Sequence, residues 1–403
     1  MKKKPLYKKA FRTFRDTVTL RKLRKWMYRR NRDIKLTPII RDIEKDLPNN
    51  TVLIFQHQSF DANGDKCFNG GAERYVKDLA DIMQGMGKIT YLIQKGNDKL
   101  WQRKVGNLNV IGLPTNDNES YIAAIKMFKK YQFVIYSGCL EWGPKIHPNV
   151  MISHGITWDV PNNDILTEKI LGILQDVDQF VSVDTNTISW LRTTFAKTLN
   201  DKDMNFIPNY VDTGMYKPNP RPNDGKIRIV FPRRASPERG YWLMSAALPP
   251  IMEKYPTVDF DFVGFAHGDK IINDIKGLVS KFPGRVNHYV VEPDEMVQVY
   301  QNADISLIPT LYSEGTSLSC LEAQACGNIV ISTNIGGLPN LIFDGFNGFL
   351  INPSAHELMV TLDKVIAYKE LRDEVSKNAV SVAQKFDKNI WIERWKNIIS
   401  KMD

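Results

Sequence analysis

From about residue 50 onward, short runs of β-branched and aromatic residues alternate with stretches whose apolar positions recur at helical spacing. "TVLIFQH", "KITYLIQ", "NLNVIGL", "QFVIYSG", "NVMISHG" and "QFVSVD" are almost continuously apolar, the pattern of strands buried on both faces. Between several of them lie amphipathic stretches, Glu73 to Met86 and Tyr121 to Tyr131. The alternation predicts βαβ units and a parallel sheet with helices on both sides. Gly214 to Lys226, rich in Pro, Asn and Gly, breaks the pattern and reads as a linker. The alternation then restarts with "KIRIVFP", "VDFDFVGF", "RVNHYVV", "ADISLIP" and "NIVISTN". The expected fold class is therefore α/β, with two doubly wound, Rossmann-like domains facing a central cleft and ligands held at the C-terminal ends of the strands. The last helical pattern, "KNIWIERWKNIISKM", carries Ile390, Trp391, Trp395, Ile398 and Ile399 at helical spacing and is expected to pack across domains. The expected division is a helical extension over 1–45, domains over 46–213 and 227–385 joined by the linker 214–226, and a C-terminal helix over 386–403.

A length of 403 residues with 43% hydrophobic content suits two domains of this kind. No apolar run approaches the roughly 20 residues of a membrane span, and no signal-peptide core follows the basic N-terminus. The cysteines Cys67, Cys139, Cys320 and Cys326 are scattered, with no C-x-x-C pair, which implies a reducing, cytoplasmic setting and neither a zinc site nor a disulfide framework. Charge alters the picture more. Residues 1–35 hold fifteen Lys and Arg against Asp16 and Asp33, a net of +13, so the rest of a chain with net charge +9 carries −4. The basic character belongs to the extension and not to the body.

The stretch "YSEGTSLSCLEAQACG", Tyr312 to Gly327, follows an expected strand and opens a helix. Thr316 or Ser317 is placed to cap that helix, and the N–H groups at Gly315, Thr316, Ser317 and Leu318 form an anion site at its positive end. Glu314 lies in the loop before it and Glu322 more than a turn inside it. A phosphate at the helix mouth leaves both carboxylates free for hydroxyls on either side. Hydroxyls flanking phosphates describe a nucleotide-sugar.

The same stretch resembles the E-x7-E element of family 4 glycosyltransferases, which have the GT-B fold. "GGAERYVKDLA" is similar to that family's Gly-rich loop and helix, "MISHGITWD" to its strand-end His-Gly, "FIPNYVDTGMYKP" to the stretch leading into the linker, "RRASPERG" to its basic donor-phosphate loop, and "NIGGLPNLIFDGFNGFLI" to the turn and strand after the E-x7-E helix. The resemblance spans roughly residues 50 to 400. It implies that Glu314 contacts the transferred sugar and Glu322 the ribose. Arg234 and Arg239 would neutralise the diphosphate, His154 would hydrogen-bond sugar or phosphate, and Gly70 and Gly71 would bring backbone close to donor or acceptor. The family usually carries Gly-Arg and a later Lys in the basic loop; here Arg233-Arg234 and Arg239 stand there, and Arg233 has no assigned role. The resemblance also implies an acceptor-side N-terminal domain, a donor-side C-terminal domain and transfer with retention. The long loop "QHQSFDANGDKCFNGG" is a candidate acceptor wall.

The expected function is transfer of a hexose-type sugar from a nucleoside-diphosphate-sugar to an acceptor hydroxyl, a glycan or lipid-linked glycan, with no cofactor. The alternatives are a nucleotide-sugar epimerase on the same fold and a polyanion binder. Asp259-Phe260-Asp261 has the D-x-D form of a metal site, but "VDFDFVG" alternates as a half-buried strand, so no metal and no D-x-D chemistry is expected. The body's net negative charge argues against a nucleic-acid partner. In the extension, Tyr7, Phe11, Phe14 and Val18, then Leu20, Leu23 and Met27 with Trp26 beside them, fall at three- and four-residue steps among Lys and Arg. They predict one basic amphipathic helix or two short ones. An anionic membrane surface is the expected partner of residues 1–35, placing the enzyme at the inner face of the cell membrane.

Overall fold

The computed structural model describes residues 6–68, 70–138, 143, 145–156, 164–195, 202–220, 224–312 and 314–403. The chain divides into two compact units: Met1–Phe68 with Met83–Val134 and Lys145–Pro148, and Asn69–Ile82 with Ile135–Pro144 and Asn149–Asp403.

The first unit contains α1 (Leu6–Asp46), β1 (Thr51–Phe55), β2 (Ile89–Lys95), β3 (Trp101–Val105), β4 (Leu108–Leu113) and α3 (Asn118–Ile125), while α2 (Gly71–Gly85) leaves the second unit to end in it. The strands run parallel in β1, β2 and β4, with Leu53 opposite Tyr91. β3 is antiparallel to β4 and largely exposed. The sequence pattern had no place for this strand, because "WQRKV" lacks the apolar run that marks a strand covered on both faces.

One continuous helix, α1, occupies the expected basic extension. Leu36, Ile40 and Ile43, with Leu47 just beyond, form a buried stripe at steps of four, three and four that docks the helix on its unit. Tyr28 donates to Asp117 Oδ2 at 3.1 Å, and Arg29 pairs with Glu119 at 2.7 Å. Leu23, Trp26, Met27 and Ile34 remain exposed. The side chains of Tyr7, Phe11, Phe14, Val18 and Leu20, the first part of the expected apolar stripe, lie outside the described part of the structure. Among the described residues no helix is long and apolar enough to cross a membrane.

β5 (Phe133–Ser137) begins in the first unit and ends in the second. The second unit continues with β6 (Asn149–Ser153), α4 (Asp164–Gln175), β7 (Gln179–Ser182), α5 (Thr185–Thr194) and β8 (Met204–Phe206). The first sheet has the order β3-β4-β2-β1-β5-β6-β7-β8. The second unit then forms β9 (Ile227–Phe231), α6 (Tyr241–Lys254), β10 (Val258–Val263), α7 (Asp269–Lys281), β11 (Val286–Tyr289), α8 (Met296–Asn302), β12 (Ile305–Ile308), α9 (Leu318–Ala325), β13 (Ile329–Thr333), β14 (Phe349–Ile351), α10 (Ala355–Ala367), α11 (Lys369–Ala383) and α12 (Lys388–Ser400). Its second sheet, β11-β10-β9-β12-β13-β14, is parallel throughout. Strand residues divide among three cores. Ile229, Phe231, Phe260 and Ile331 enter one; Val230 enters a second, and Ile308 with Val330 a third. Burial on both faces explains why these strands read as continuous apolar runs. Two Rossmann-like sheets and a helical N-terminal segment are the architecture expected.

Asp259 and Asp261 lie in β10, as their alternation implied. Asp259 pairs with Lys226 at 2.7 Å, and Asp261 accepts from Asn287 at 2.9 Å and from Tyr289 at 3.1 Å.

Candidate functional site

β9 and β12 are paired neighbours, so the loops at their C-terminal ends meet. The first loop carries Arg233 and Arg239, the second Thr310 and Glu314. Arg233 Nη1 donates to Thr310 Oγ1 at 2.6 Å and its Nη2 to Glu314 Oε2 at 3.1 Å. Arg239 donates to the same Oε2, and Thr310 Oγ1 lies 3.2 Å from it. The Glu314 side chain is 12% exposed and that of Arg233 8%. Burial pushes the Glu314 carboxyl up, but Arg233 and Arg239 outweigh it and hold the group below its ordinary range. Burial lowers the Arg233 guanidinium, with Glu314 opposing and Arg239 adding to the effect. Two guanidinium groups on one carboxylate leave a local surplus of positive charge at the mouth of α9.

The helix mouth is shaped by glycine. A Cβ on Gly315 would meet Val183 Cγ2 at 2.6 Å and the His154 carbonyl oxygen at 2.9 Å. Gly336, at φ +57°, lies so close to Glu314 that a Cβ would stand 2.2 Å from its carbonyl oxygen. Ser317 occupies the cap position of α9 but makes no capping side-chain bond. Thr316 does not cap either. Its hydroxyl donates to the Val183 carbonyl at 2.7 Å and accepts from the Asn209 N–H at 2.8 Å, which ties the loop down. The backbone N–H groups from Gly315 to Leu318 therefore have no partner among the described residues and remain available as donors.

Glu322 sits one turn into α9 and meets a different cation. Arg74 of α2 donates to its Oε1 at 2.9 Å, with side-chain exposures of 38% and 7% for Arg and Glu. Burial would lower the Arg74 guanidinium, but Glu322 outweighs it and raises the group. Gly70, Gly71, Arg74, Tyr216, Ser319 and Glu322 line a pocket of about 620 Å³, bordered by the turn around Glu292 and Asp294. A Cβ on Gly71 would stand 3.1 Å from Leu318 Cδ1, so the Gly-rich turn lies directly against the first residue of α9.

His154 follows β6. Its Nε2 lies 3.2 Å from Ser137 Oγ, and its ring meets Tyr75 edge-on at 5.2 Å. Burial pushes its pKa down to about 4, so the imidazole is neutral at pH 7. Tyr75 is braced from behind by α12: Trp395 donates to its hydroxyl at 2.8 Å, and the Trp391 ring lies 4.9 Å away edge-on. Lys388 of α12 pairs with Asp78 of α2 at 2.8 Å.

Of the residues singled out in the sequence, Glu314 and Arg239 touch directly. Glu322 shares its pocket with Gly70 and Gly71, and the carbonyl of His154 backs the glycine after Glu314. Arg234 is exposed and takes no part in the arginine–glutamate cluster; Arg233, left unassigned, occupies that place. Arg74, Thr310 and Tyr75 were missed. Arg74 had a weak signal, one helical turn beyond Gly71 on the same face.

Residues 214–382 match the sequence model of the family described as "Glycosyl transferases group 1". The stretch includes both arginines and both glutamates. The chain is 26% identical over 326 residues to a component of human phosphatidylinositol N-acetylglucosaminyltransferase, covering 74% of this chain and 66% of that protein. It is 32% identical over 158 residues to the D-inositol 3-phosphate glycosyltransferase of Arthrobacter sp. (strain FB24), covering 36% of this chain and 37% of that one. It thus spans less than two thirds of either relative. Among solved structures, the Anabaena protein HepE in complex with UDP superposes with a TM-score of 0.70 at 17% identity, over 87% of this chain and 100% of that one. This last likeness concerns the fold. Together with the paired arginines and glutamates, the comparisons support glycosyl transfer, in general terms, on a GT-B fold.

Proposed function

We propose that this protein is a retaining, family 4-type glycosyltransferase that moves a sugar from a nucleoside-diphosphate-sugar to an acceptor hydroxyl in cell-surface polysaccharide or glycolipid synthesis. The observation that carries the reading is the surplus of cationic charge on Glu314 at the open N-terminus of α9, beside a pocket that holds Glu322. Breaking the anomeric bond gathers negative charge on the departing diphosphate. The N–H groups of Gly315 to Leu318 are fixed in advance to receive that charge, and Arg239 stands beside them as a further cation. Glu314 accepts from sugar hydroxyls and Glu322 from ribose hydroxyls. His154, neutral at pH 7, acts as a hydrogen-bonding group on sugar or phosphate. No side chain in the cluster is set up as a strong base, since Glu314 is held low by its arginines. Attack from the same face, with the leaving phosphate taking the acceptor's proton, fits that lack.

Residues 227–385 form the donor side in this reading and residues 46–213 the acceptor side. The acidic pair of β10 is engaged with Lys226, Asn287 and Tyr289, which supports chemistry without a metal. The UDP in the HepE complex makes uridine donors the first to try, and the phosphatidylinositol named for the human relative supports a lipid-borne acceptor. The exposed Leu23, Trp26 and Met27 among basic residues of α1 support attachment to the anionic inner face of the cell membrane, where each Lys or Arg near the surface contributes about 1 kcal/mol.

A thermal-shift screen of nucleotide-sugars with excess EDTA tests the donor reading. A donor at 100 times its dissociation constant should add about 2.7 kcal/mol of stability. Stabilisation by none of them, or only after manganese or magnesium is restored, would reject the reading or its metal independence. Interconversion of two nucleotide-sugars would point to an epimerase instead. The full chain should float with anionic liposomes at low salt and lose this on removal of residues 1–35. Equal flotation of both forms would reject the membrane role.

A further inference from the structure

Arg233 and Arg239 share one carboxylate, but they are not equivalent. Arg233 is 8% exposed, is held at both Nη atoms by Thr310 and Glu314, and has a buried Nε with no partner among the described residues. Arg239 is 29% exposed and, among the described residues, makes its side-chain bond to Glu314 alone. Among the described residues, the hydrogen bonds to the Glu314 carboxylate all fall on Oε2. Oε1 has no partner among them. Two cations on one anion are balanced only when a second anion arrives, and the guanidinium with fewer bonds and more solvent is the one able to turn toward it.

We infer that Arg233 is the positioning residue of Glu314, fixing the carboxylate through Oε2 and keeping it charged, while Arg239 is the cation that passes from Glu314 to the diphosphate of an arriving donor. The inference rests on the donor reading above and divides the labour within it. Without Arg233, Glu314 would have no counter-charge left once Arg239 moved away. The carboxylate would then titrate at higher pH and swing free of the sugar. Among the described residues, the titratable groups facing Glu314 are these two arginines and the Cys320 thiol of α9, which burial pushes up and keeps neutral. The turn at Gly336 and Gly337 and the strand end at His154 approach this loop through backbone.

The test compares wild type with Arg239→Ala, Arg233→Met and Arg233→Lys. UDP, GDP and ADP affinity is measured by calorimetry, and turnover with the best nucleotide-sugar is followed against pH. Arg239→Ala should weaken nucleotide binding by about tenfold or more. Arg233→Met should bind nucleotide within about threefold of wild type, lose about 10²-fold in kcat, and show its acid limb displaced upward by about a pH unit. Arg233→Lys keeps the charge and loses the fork. It should keep the acid limb and lose about tenfold in kcat, and it carries the test if the Met variant does not fold. Nucleotide binding lost in Arg233→Met as in Arg239→Ala would make Arg233 a phosphate ligand and overturn the inference. So would wild-type kcat and pH profile in Arg233→Lys and Arg233→Met. Failure of the wild type to bind any of the three nucleotides would overturn the donor reading itself.

Discussion

Glu314 and Glu322 are the same residue type eight positions apart, yet the chain treats them differently. Glu314 stands in a loop and draws two arginines and a threonine from the ends of neighbouring parallel strands. Glu322 stands inside a helix and meets one arginine, which arrives from α2 with 38% of its side chain exposed. The first carboxylate is over-compensated and the second is balanced. An over-compensated carboxylate marks where a further anion belongs, whereas a balanced one at a pocket wall is suited to neutral hydroxyls. The difference comes from topology: adjacent strand ends in a parallel sheet deliver several loops to one point, while the helical Glu322 meets its cation from a single distant element.

The comparison breaks most visibly at Glu314. Glu314→Gln should lower turnover by about 10² or more. It should also cost about 3–5 kcal/mol of stability, because Arg233 is left as a buried cation without its counter-charge. Steady-state kinetics and denaturant melts read both; wild-type turnover would remove Glu314 from the site. Arg239→Ala should cost about as much turnover with less stability, and Arg239→Lys should keep much of the activity.

A smaller effect is expected at Glu322. Arg74→Met strands a carboxylate that is only 7% exposed, at a cost of about 1–3 kcal/mol near neutral pH. Arg74→Lys, which keeps the charge, should recover much of that loss. Equal melting temperatures for the Met and Lys variants would mean Arg74 serves packing rather than charge.

Another buried group near Glu314 adds a pH dependence of its own. His154 has its pKa lowered to about 4 from an ordinary 6.5. Between those values the unfolded chain binds the proton and the folded one does not, so stability falls with acidification by up to about 1.4 kcal/mol per pH unit. The ring keeps some surface, so that slope is a ceiling. His154→Gln should flatten the stability profile between pH 6.5 and 5. An unchanged slope would assign the acid loss to the carboxylates instead.

Much of this was legible in the sequence, for reasons that also explain the gaps. Strands such as "TVLIF" and "ISLI" are buried on both faces, so composition alone reveals them. β3 is an exposed edge strand and carries no such signal. The two glutamates could be placed because a strand, loop and helix follow one another in the chain. Their arginines could not be placed as readily. Arg233 and Arg234 are adjacent, and only the turn after β9 decides which faces inward. The parity of that strand, with Ile229 and Phe231 in one core, was a usable hint in favour of Arg233. Arg74 meets Glu322 across 248 residues, a pairing no local pattern contains. In α1 the basic stretch was plain, but the stripe from Leu36 to Leu47 that anchors it lies beyond the charged run, where the charge pattern gives no sign of it.

The brace between Trp395 and Tyr75 joins residues 320 positions apart. Tyr75 in turn touches His154 and is the chain neighbour of Arg74. A contact of such long range forms late when a polypeptide folds as it is synthesised. A ribosome-bound chain that has exposed everything up to α11 already carries Glu314, Glu322 and their arginines, yet α2 still lacks its support. Nascent chains of this protein should therefore remain inactive until residues 388–400 have emerged, so that synthesis itself times the start of its chemistry.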